Sequence, residues 1–452
     1  MELTYPTITI AVLAATFAAI ILLDRSGSRR YLRQTTMIGL AVSFCGLLFP
    51  ASAGALLHTD PLSRYFAVLV VAIALLVLLA SHEASFIYLV SILLSTIGMI
   101  LVITADDVLL LYISIELMTA PTYALVAYRK HRLRIEAATK YFINGIVASS
   151  LLVLGLALLV SAVGTTSISQ MIPIISAGGV SPLLYAGVAA ILAGFTFKLG
   201  LFPGNLWVPD VYQGAPSEVS GFLAAATKKA AFAALLWLAL AFVRVGAWTN
   251  VTMLLAAVTM VAATVLSLMQ QDLRRLLAYS SLAHAGFLML GVAAGTTAGR
   301  SAVALHSLVH AAMILGAFLI AGLLYVHKIE TIEQLKGLGW RNKLLSFSLM
   351  LFLLSMAGIP LLSGFIGKFS LILAVFDAGM LWLGLLAIMM SVLALYPYFR
   401  VIRALYGYPV AKGTSFPLHN GVLFVILLCL MITIVIGIVP GPFFQLAQFV
   451  AG

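Results

Sequence analysis

The chain has 452 residues, 63% of them hydrophobic and only 9% charged, whereas a soluble domain has nearer a quarter of its residues charged. This composition excludes a soluble enzyme and makes the chain an integral membrane protein. Its net charge of +11 is spread between apolar runs rather than clustered on a solvated face, so nucleic acid is excluded as a partner. The two cysteines, Cys45 and Cys429, each sit inside an apolar run, so no iron–sulfur cluster or zinc site can be built from several thiolates of this chain.

Taking about 20 apolar residues as one crossing, the sequence predicts spans near 4–23, 35–57, 64–81, 84–104, 107–128, 138–163, 183–213, 217–243, 250–269, 276–295, 301–326, 344–376, 379–405 and 420–449. The first lacks the basic start and small-residue cleavage site of a signal peptide and reads as a retained helix. About 14 transmembrane helices define the expected fold, an all-α polytopic membrane protein. Cytoplasmic loops retain Lys and Arg. With the N-terminus outside, seventeen of the 25 Lys and Arg residues fall in one set of loops, among them Arg25, Arg29, Lys130, Arg274, Arg275 and Lys412. The opposite set holds Arg64, Arg244 and Arg300. Both termini are therefore expected outside the cell membrane of a prokaryote.

Two spans are too long for one crossing and carry helix breakers. The seventh is interrupted in "LFPGNLWVPD" by Pro203, Gly204 and Pro209, and the twelfth in "MAGIPLLSGFIGK" by Gly358 and Pro360. Breaks at membrane depth leave backbone groups that only protein or water can satisfy. In corresponding places of two halves they point to an ion path between inverted repeats. The breaks lie five helices apart, so the sequence predicts a repeat of helices 4–8 (84–243) and an inverted one of helices 9–13 (244–405). An N-terminal segment of helices 1–3 (1–83) precedes them and a C-terminal helix (406–452) follows.

Ionisable residues stand inside these spans, where each costs on the order of 2.5–3.5 kcal/mol on insertion scales. Glu116 lies about mid-helix in "LLLYISIELMTAPTYAL". Lys198 precedes the first break, Lys228 and Lys229 stand mid-way along the eighth span, and Lys368 follows the second break. Together they read as a proton relay, because a lysine whose carboxylate partner moves can take up or release a proton. Lys228 and Lys229 point about 100° apart and cannot serve one site equally. Lys140 lies four residues after Glu136, which also suits an interfacial ion pair. His284 is placed mid-helix behind two serines, and His306 and His310 share a helical face. These suit proton transfer or interhelical bonds. A zinc site would need a third ligand and a catalytic glutamate that the pattern lacks, so no metal is expected.

The tracts "DDVLLLYISIELMTAPTYALVAY", "EAATKYF", "FKLGLFPGNLWVPDVYQGAPSEVSGFLAAATKKAAFAALL", "DLRRLLAYSSLAHAGFLMLG" and "AGIPLLSGFIGKF" resemble the antiporter-like membrane subunits of respiratory complex I, most closely the branch called subunit N. The resemblance covers roughly Asp106 to Arg403. It implies a subunit that moves protons while redox chemistry occurs elsewhere, with a relay through Glu116, Lys198, Lys228 and Lys368, Lys140 matching as well and Lys229 as an addition. It also implies a flavin, iron–sulfur clusters and a quinone-like acceptor in partner subunits, and none of these in this chain. One departure is the pair His306 and His310, with Ile314 where larger relatives carry a lysine. The donor is left open by the sequence, as is the choice among this function, a subunit of a multi-subunit sodium/proton antiporter, a self-sufficient solute carrier and a non-transporting structural subunit.

Overall fold

A computed structural model of the chain describes residues 5–48, 57–81, 83–129, 131–178, 181–409, 416 and 419–452. Lys130 and Lys412 of the basic loops, and residues 49–56 of the predicted second span, lie outside the described residues. Among the described residues, twelve helices are long and apolar enough to cross a membrane.

The chain runs through α1 (Tyr5–Arg25), α2 (Leu32–Leu47), α3 (Pro61–Ala80), α4 (Phe86–Thr104), α5 (Val108–Val126), α6 (Arg132–Val163) and the short α7 (Ile168–Ser176). The seventh predicted span is split into α8 (Pro182–Leu199) and α9 (Trp207–Gly214). The eighth is α10 (Ser217–Phe222), a π-helical turn over Leu223–Thr227, and α11 (Lys228–Phe242). Then come α12 (Trp248–Leu268), α13 (Leu273–Ala294), α14 (Thr297–Val326), α15 (Leu338–Arg341), α16 (Lys343–Ala357), α17 (Ser363–Asp377), α18 (Leu381–Leu393), α19 (Leu395–Tyr406), α20 (Asn420–Ile438) and α21 (Gly441–Ala451).

Local chemistry sets many of these boundaries. Asp107 caps α5 by accepting from the amides of Leu109 and Leu110, Ser181 caps α8 with Pro182 behind it, and Asp272 caps α13 through the amide of Arg275. Each satisfies amides that have no partner inside the helix. The helices before both breaks end on glycines in the left-handed region, Gly200 at φ +70° and Gly358 at φ +92°, a conformation that glycine adopts without a Cβ penalty.

Four features differ from the sequence reading. The predicted helix 379–405 is present as one span, Leu381–Tyr406, but its regular hydrogen bonding lapses at Ala394, because Pro397 cannot donate to the carbonyl four residues back and its ring crowds it. The predicted helix 420–449 is two helices, divided at Pro440. The stretch between the sixth and seventh spans is not merely loop: α7 buries Ile168, Met171 and Ile175, the spacing of an amphipathic turn. The π turn inside the eighth span has no counterpart in the prediction.

The chain divides into two compact units. The first comprises residues 1–78, 82–207 and 226–249. In it α4 packs on α5, α6 on α8, and α11 on α4, α7 and α8. The second comprises 79–81, 208–225 and 250–452. It is centred on α14, which packs against α10, α13, α16, α17, α20 and α21. This explains why α13 is wholly buried and α14 nearly so, and why both are apolar around their circumference.

The approach of α4 to α5 depends on Gly98, where a Cβ would meet the backbone of Leu117 and Met118 beside Glu116. Gly98→Ala is expected to force the two helices apart and destabilise the subunit by about 1–3 kcal/mol, seen as a lower steady-state level in immunoblots of membranes. Gly46→Ala, where a Cβ meets nothing closer than the Thr9 hydroxyl at 4.0 Å, should leave that level unchanged.

Candidate functional site

The first break brings three of the predicted elements together. Lys198 lies in the last turn of α8, where the helix dipole favours a cation, and its side chain is 2% exposed. Its Nζ lies 3.5 Å from Glu116 Oε1 and donates to Thr119 Oγ1 at 3.2 Å. Glu116 also accepts from Ser149 Oγ of α6 at 2.5 Å. Glu116 and Thr119 share a face of α5 because they are three residues apart.

Beyond Gly200 the chain turns back on itself. The amides of Gly200 and Leu201 reach the carbonyls of Phe197 and Thr196 at 3.1 and 2.7 Å. Trp207, the first residue of α9, donates its indole N–H to the Phe197 carbonyl at 3.1 Å. Its ring stacks on Tyr141 at 4.3 Å. Gly204 is needed here because a Cβ would collide with the backbone of Thr196 and Phe197. Backbone freed by the break is thus satisfied by protein groups, as a low-dielectric surrounding demands.

Lys228 and Lys229 are both buried, 1% exposed each, at the start of α11 directly after the π turn over Leu223–Thr227. Such turns occur frequently at functional sites. Sequence reasoning missed this one, and its only sequence signal is the small-residue run "AAAT" before the two lysines.

At the second break, in the second unit, Lys368 of α17 is buried and donates to the carbonyl of Ala357 at 3.1 Å and to Ser391 Oγ at 3.0 Å. Ser391 in turn donates to the Ala357 carbonyl at 3.0 Å. Ala357 ends α16, so this carbonyl is one that the break has released from helical pairing. The ammonium also lies over the Phe287 ring, 4.7 Å from its centre. The three histidines converge in the same unit. His284 Nδ1 and His306 Nε2 are 2.9 Å apart, and the ring of His310 lies 4.8 Å from that of His284. A Cβ on Gly367, next to Lys368, would run into the His306 ring.

Lys140 stands apart. It forms an exposed ion pair with Glu136 at 2.9 Å, one helical turn away. The helix breakers Pro203, Gly204, Gly358 and Pro360 lie in the two gaps, whereas Pro209 falls inside α9, at the third position, where its missing amide costs no helical bond. Among the described residues no group of three or more metal-ligating side chains could hold a metal ion.

Buried lysines at interrupted transmembrane helices, one facing a carboxylate and another a freed carbonyl, define a class: polytopic membrane proteins that carry ionisable groups within their spans. Residues 105–394 match the family model described as NADH:quinone oxidoreductase/Mrp antiporter, TM, and the chain belongs to that family. It is 34% identical over 448 residues to NADH-quinone oxidoreductase subunit N of Desulforamulus reducens, covering 95% of this chain and 94% of the relative. It is 36% identical over 420 residues to F(420)H(2) dehydrogenase subunit N of Methanosarcina mazei, covering 87% and 84%. A chain of respiratory complex I from Thermus thermophilus superposes with a TM-score of 0.87 at 29% identity, covering 97% of this chain and 99% of that one.

Two hydrogen bonds hold the Lys368 ammonium, and hydrogen bonds to charged groups contribute about 1.5–3 kcal/mol each. Ser391→Ala is expected to lower stability by about that amount, read as a lower thermal midpoint of the detergent-purified protein. Ser370→Ala removes only a local bond to the Gly367 carbonyl and should stay within about 0.5 kcal/mol of the parent.

Proposed function

We propose that this chain is a proton-translocating membrane subunit, of the subunit N type, in a complex I-like respiratory oxidoreductase. Protons pass along Glu116, Lys198, Lys228 and Lys368, while partner subunits carry electrons to a quinone or quinone-like acceptor. The observation that carries this reading is the Lys198 site, a buried ammonium held between a carboxylate and a hydroxyl at a broken helix. That arrangement can exchange a proton when the carboxylate moves or is protonated. A purely structural ion pair would not call for helix breakers beside it, nor for further buried lysines at 228, 229 and 368.

His284, His306 and His310 offer a second set of proton-exchanging groups beside Lys368, and Lys229 joins Lys228 as a neighbour whose role is auxiliary. Lys140, exposed and paired, serves at the entrance of the path. Flavin, iron–sulfur clusters and the acceptor site belong to peripheral and membrane partner subunits, since two cysteines in separate apolar runs cannot ligate a cluster. The skew of basic loops supports fourteen crossings with both termini outside a prokaryotic cell membrane. Moving one charge against 100 mV costs about 2.3 kcal/mol, so the drive must come from the partners' redox chemistry. The family's joint description favours one alternative, a subunit of a multi-subunit sodium/proton antiporter.

Lys198→Ala and Glu116→Ala, introduced into the assembled complex, are expected to leave assembly intact and to lower proton pumping per electron transferred, by about tenfold for each lost charge-assisted contact. Fluorescence quenching in inverted vesicles measures the pumping, and a normal proton-to-electron ratio in both variants would sink the relay. Pumping that follows sodium rather than electron donor would favour the antiporter.

A further inference from the structure

Helix α9 has eight residues and is severed from α8 by the first break. A helix this short has little stability of its own, so contacts at its two ends must hold it. At its start, Trp207 is fixed by the Phe197 carbonyl and the Tyr141 ring. One turn further on, a closed ring of polar contacts grips it.

Asp210 Oδ1 accepts from Arg275 Nη1 at 2.7 Å, and the same nitrogen donates to Gln213 Oε1 at 2.9 Å. Gln213 Nε2 donates to Asp272 Oδ2 at 3.1 Å, and Asp272 Oδ1 accepts the Arg275 amide at 2.9 Å as the cap of α13. Asp210 and Gln213 are three residues apart on α9, and Asp272 and Arg275 three apart on α13, so each pair presents one face. The Arg275 and Asp210 side chains are 29% and 30% exposed, half-withdrawn from the water that screens surface pairs.

Through Trp207 the same helix reaches the turn that carries Lys198. Phe197 immediately precedes Lys198, and the Phe197 carbonyl is held by Trp207, which α9 carries. The Lys198 ammonium stands 3.5 Å from Glu116, longer than a tight charge-assisted bond, so a small shift of that turn changes the pairing. We propose that Arg275 is a positioning residue for proton transfer: through its bonds to Asp210 and Gln213 it fixes α9, and α9 holds the Lys198 turn at working distance from Glu116. The proposal rests on the relay role of Lys198 given above.

The test uses the assembled complex in membrane vesicles, with Arg275→Gln, Arg275→Lys and Lys198→Ala compared. Arg275→Gln is expected to assemble at the parent level, but amides of Trp207–Gly214 should exchange hydrogen about tenfold faster, the effect of one lost charge-assisted bond. Proton flux per electron should fall by about tenfold, because a displacement of about 1 Å in a positioned transfer costs up to ~100-fold. Arg275→Lys, which keeps a charged donor, should restore both. Should Arg275→Gln fail to assemble, Asp210→Asn removes the same ion pair while keeping the side-chain shape, and the same two changes are expected. Unchanged exchange in α9, or normal flux per electron alongside impaired flux in Lys198→Ala, would overturn the positioning role alone. Normal flux in Lys198→Ala as well would overturn the relay beneath it. A loss that tracks only the amount of assembled complex, equal in the Gln and Lys variants, would mark Arg275 as merely structural and overturn the proposal.

Discussion

Everything distinctive in this molecule follows from the cost of leaving a polar group without a partner where water is scarce. A broken helix exposes carbonyls and amides, and a lysine at the same depth needs acceptors. Each is unfavourable alone, and together they offset one another. At the second break the match is direct: the Ala357 carbonyl released by the end of α16 accepts from Lys368. At the first, the Phe197 carbonyl accepts from both the Gly200 amide and the Trp207 indole, and Lys198 turns instead to Thr119 and Glu116.

That difference separates the two lysines chemically. Lys368 is held by a backbone carbonyl and a serine hydroxyl, groups that keep their charge state at any ordinary pH. Lys198 faces a carboxylate, whose charge can change. Under the proposed function the first break is therefore the place where a proton arriving on one partner alters the other, while the second gives a fixed seat of hydrogen bonds for Lys368. Under the proposed function, the relay begins at the responsive pair and passes toward the fixed seat.

The sequence made the breaks, the buried charges and the membrane class legible because each depends on residue type alone. Pro203, Gly204, Gly358 and Pro360 interrupt a helix whatever surrounds them, and Lys198 or Glu116 in an apolar run is conspicuous on cost grounds. Pro440 was equally visible, but the run around it remains apolar, so hydropathy alone merged two helices into one there. The π turn was not legible, because the tract "GFLAAATKK" in which it falls contains no proline and reads as continuous helix. The pairing of Lys198 with Thr119 and Ser149 with Glu116 was also hidden, since hydroxyl residues are common in transmembrane helices and only the crossing of α5, α6 and α8 selects these.

Magnitudes decide whether the Lys198–Glu116 pair can serve a pump. At 3.5 Å and an effective dielectric near 20, two unit charges attract by roughly 5 kcal/mol. Glu116 is 34% exposed on the isolated chain, and screening on that side lowers the figure. The remainder is of the same order as moving one or two charges across 100 mV, about 2.3 kcal/mol each. A pair bound much more tightly would hold its proton against any such drive, and one bound much more weakly would let it slip back. Under the proposed function, an attraction of this size opens only when partner subunits supply energy, and the pair then couples their redox chemistry to the movement of a proton.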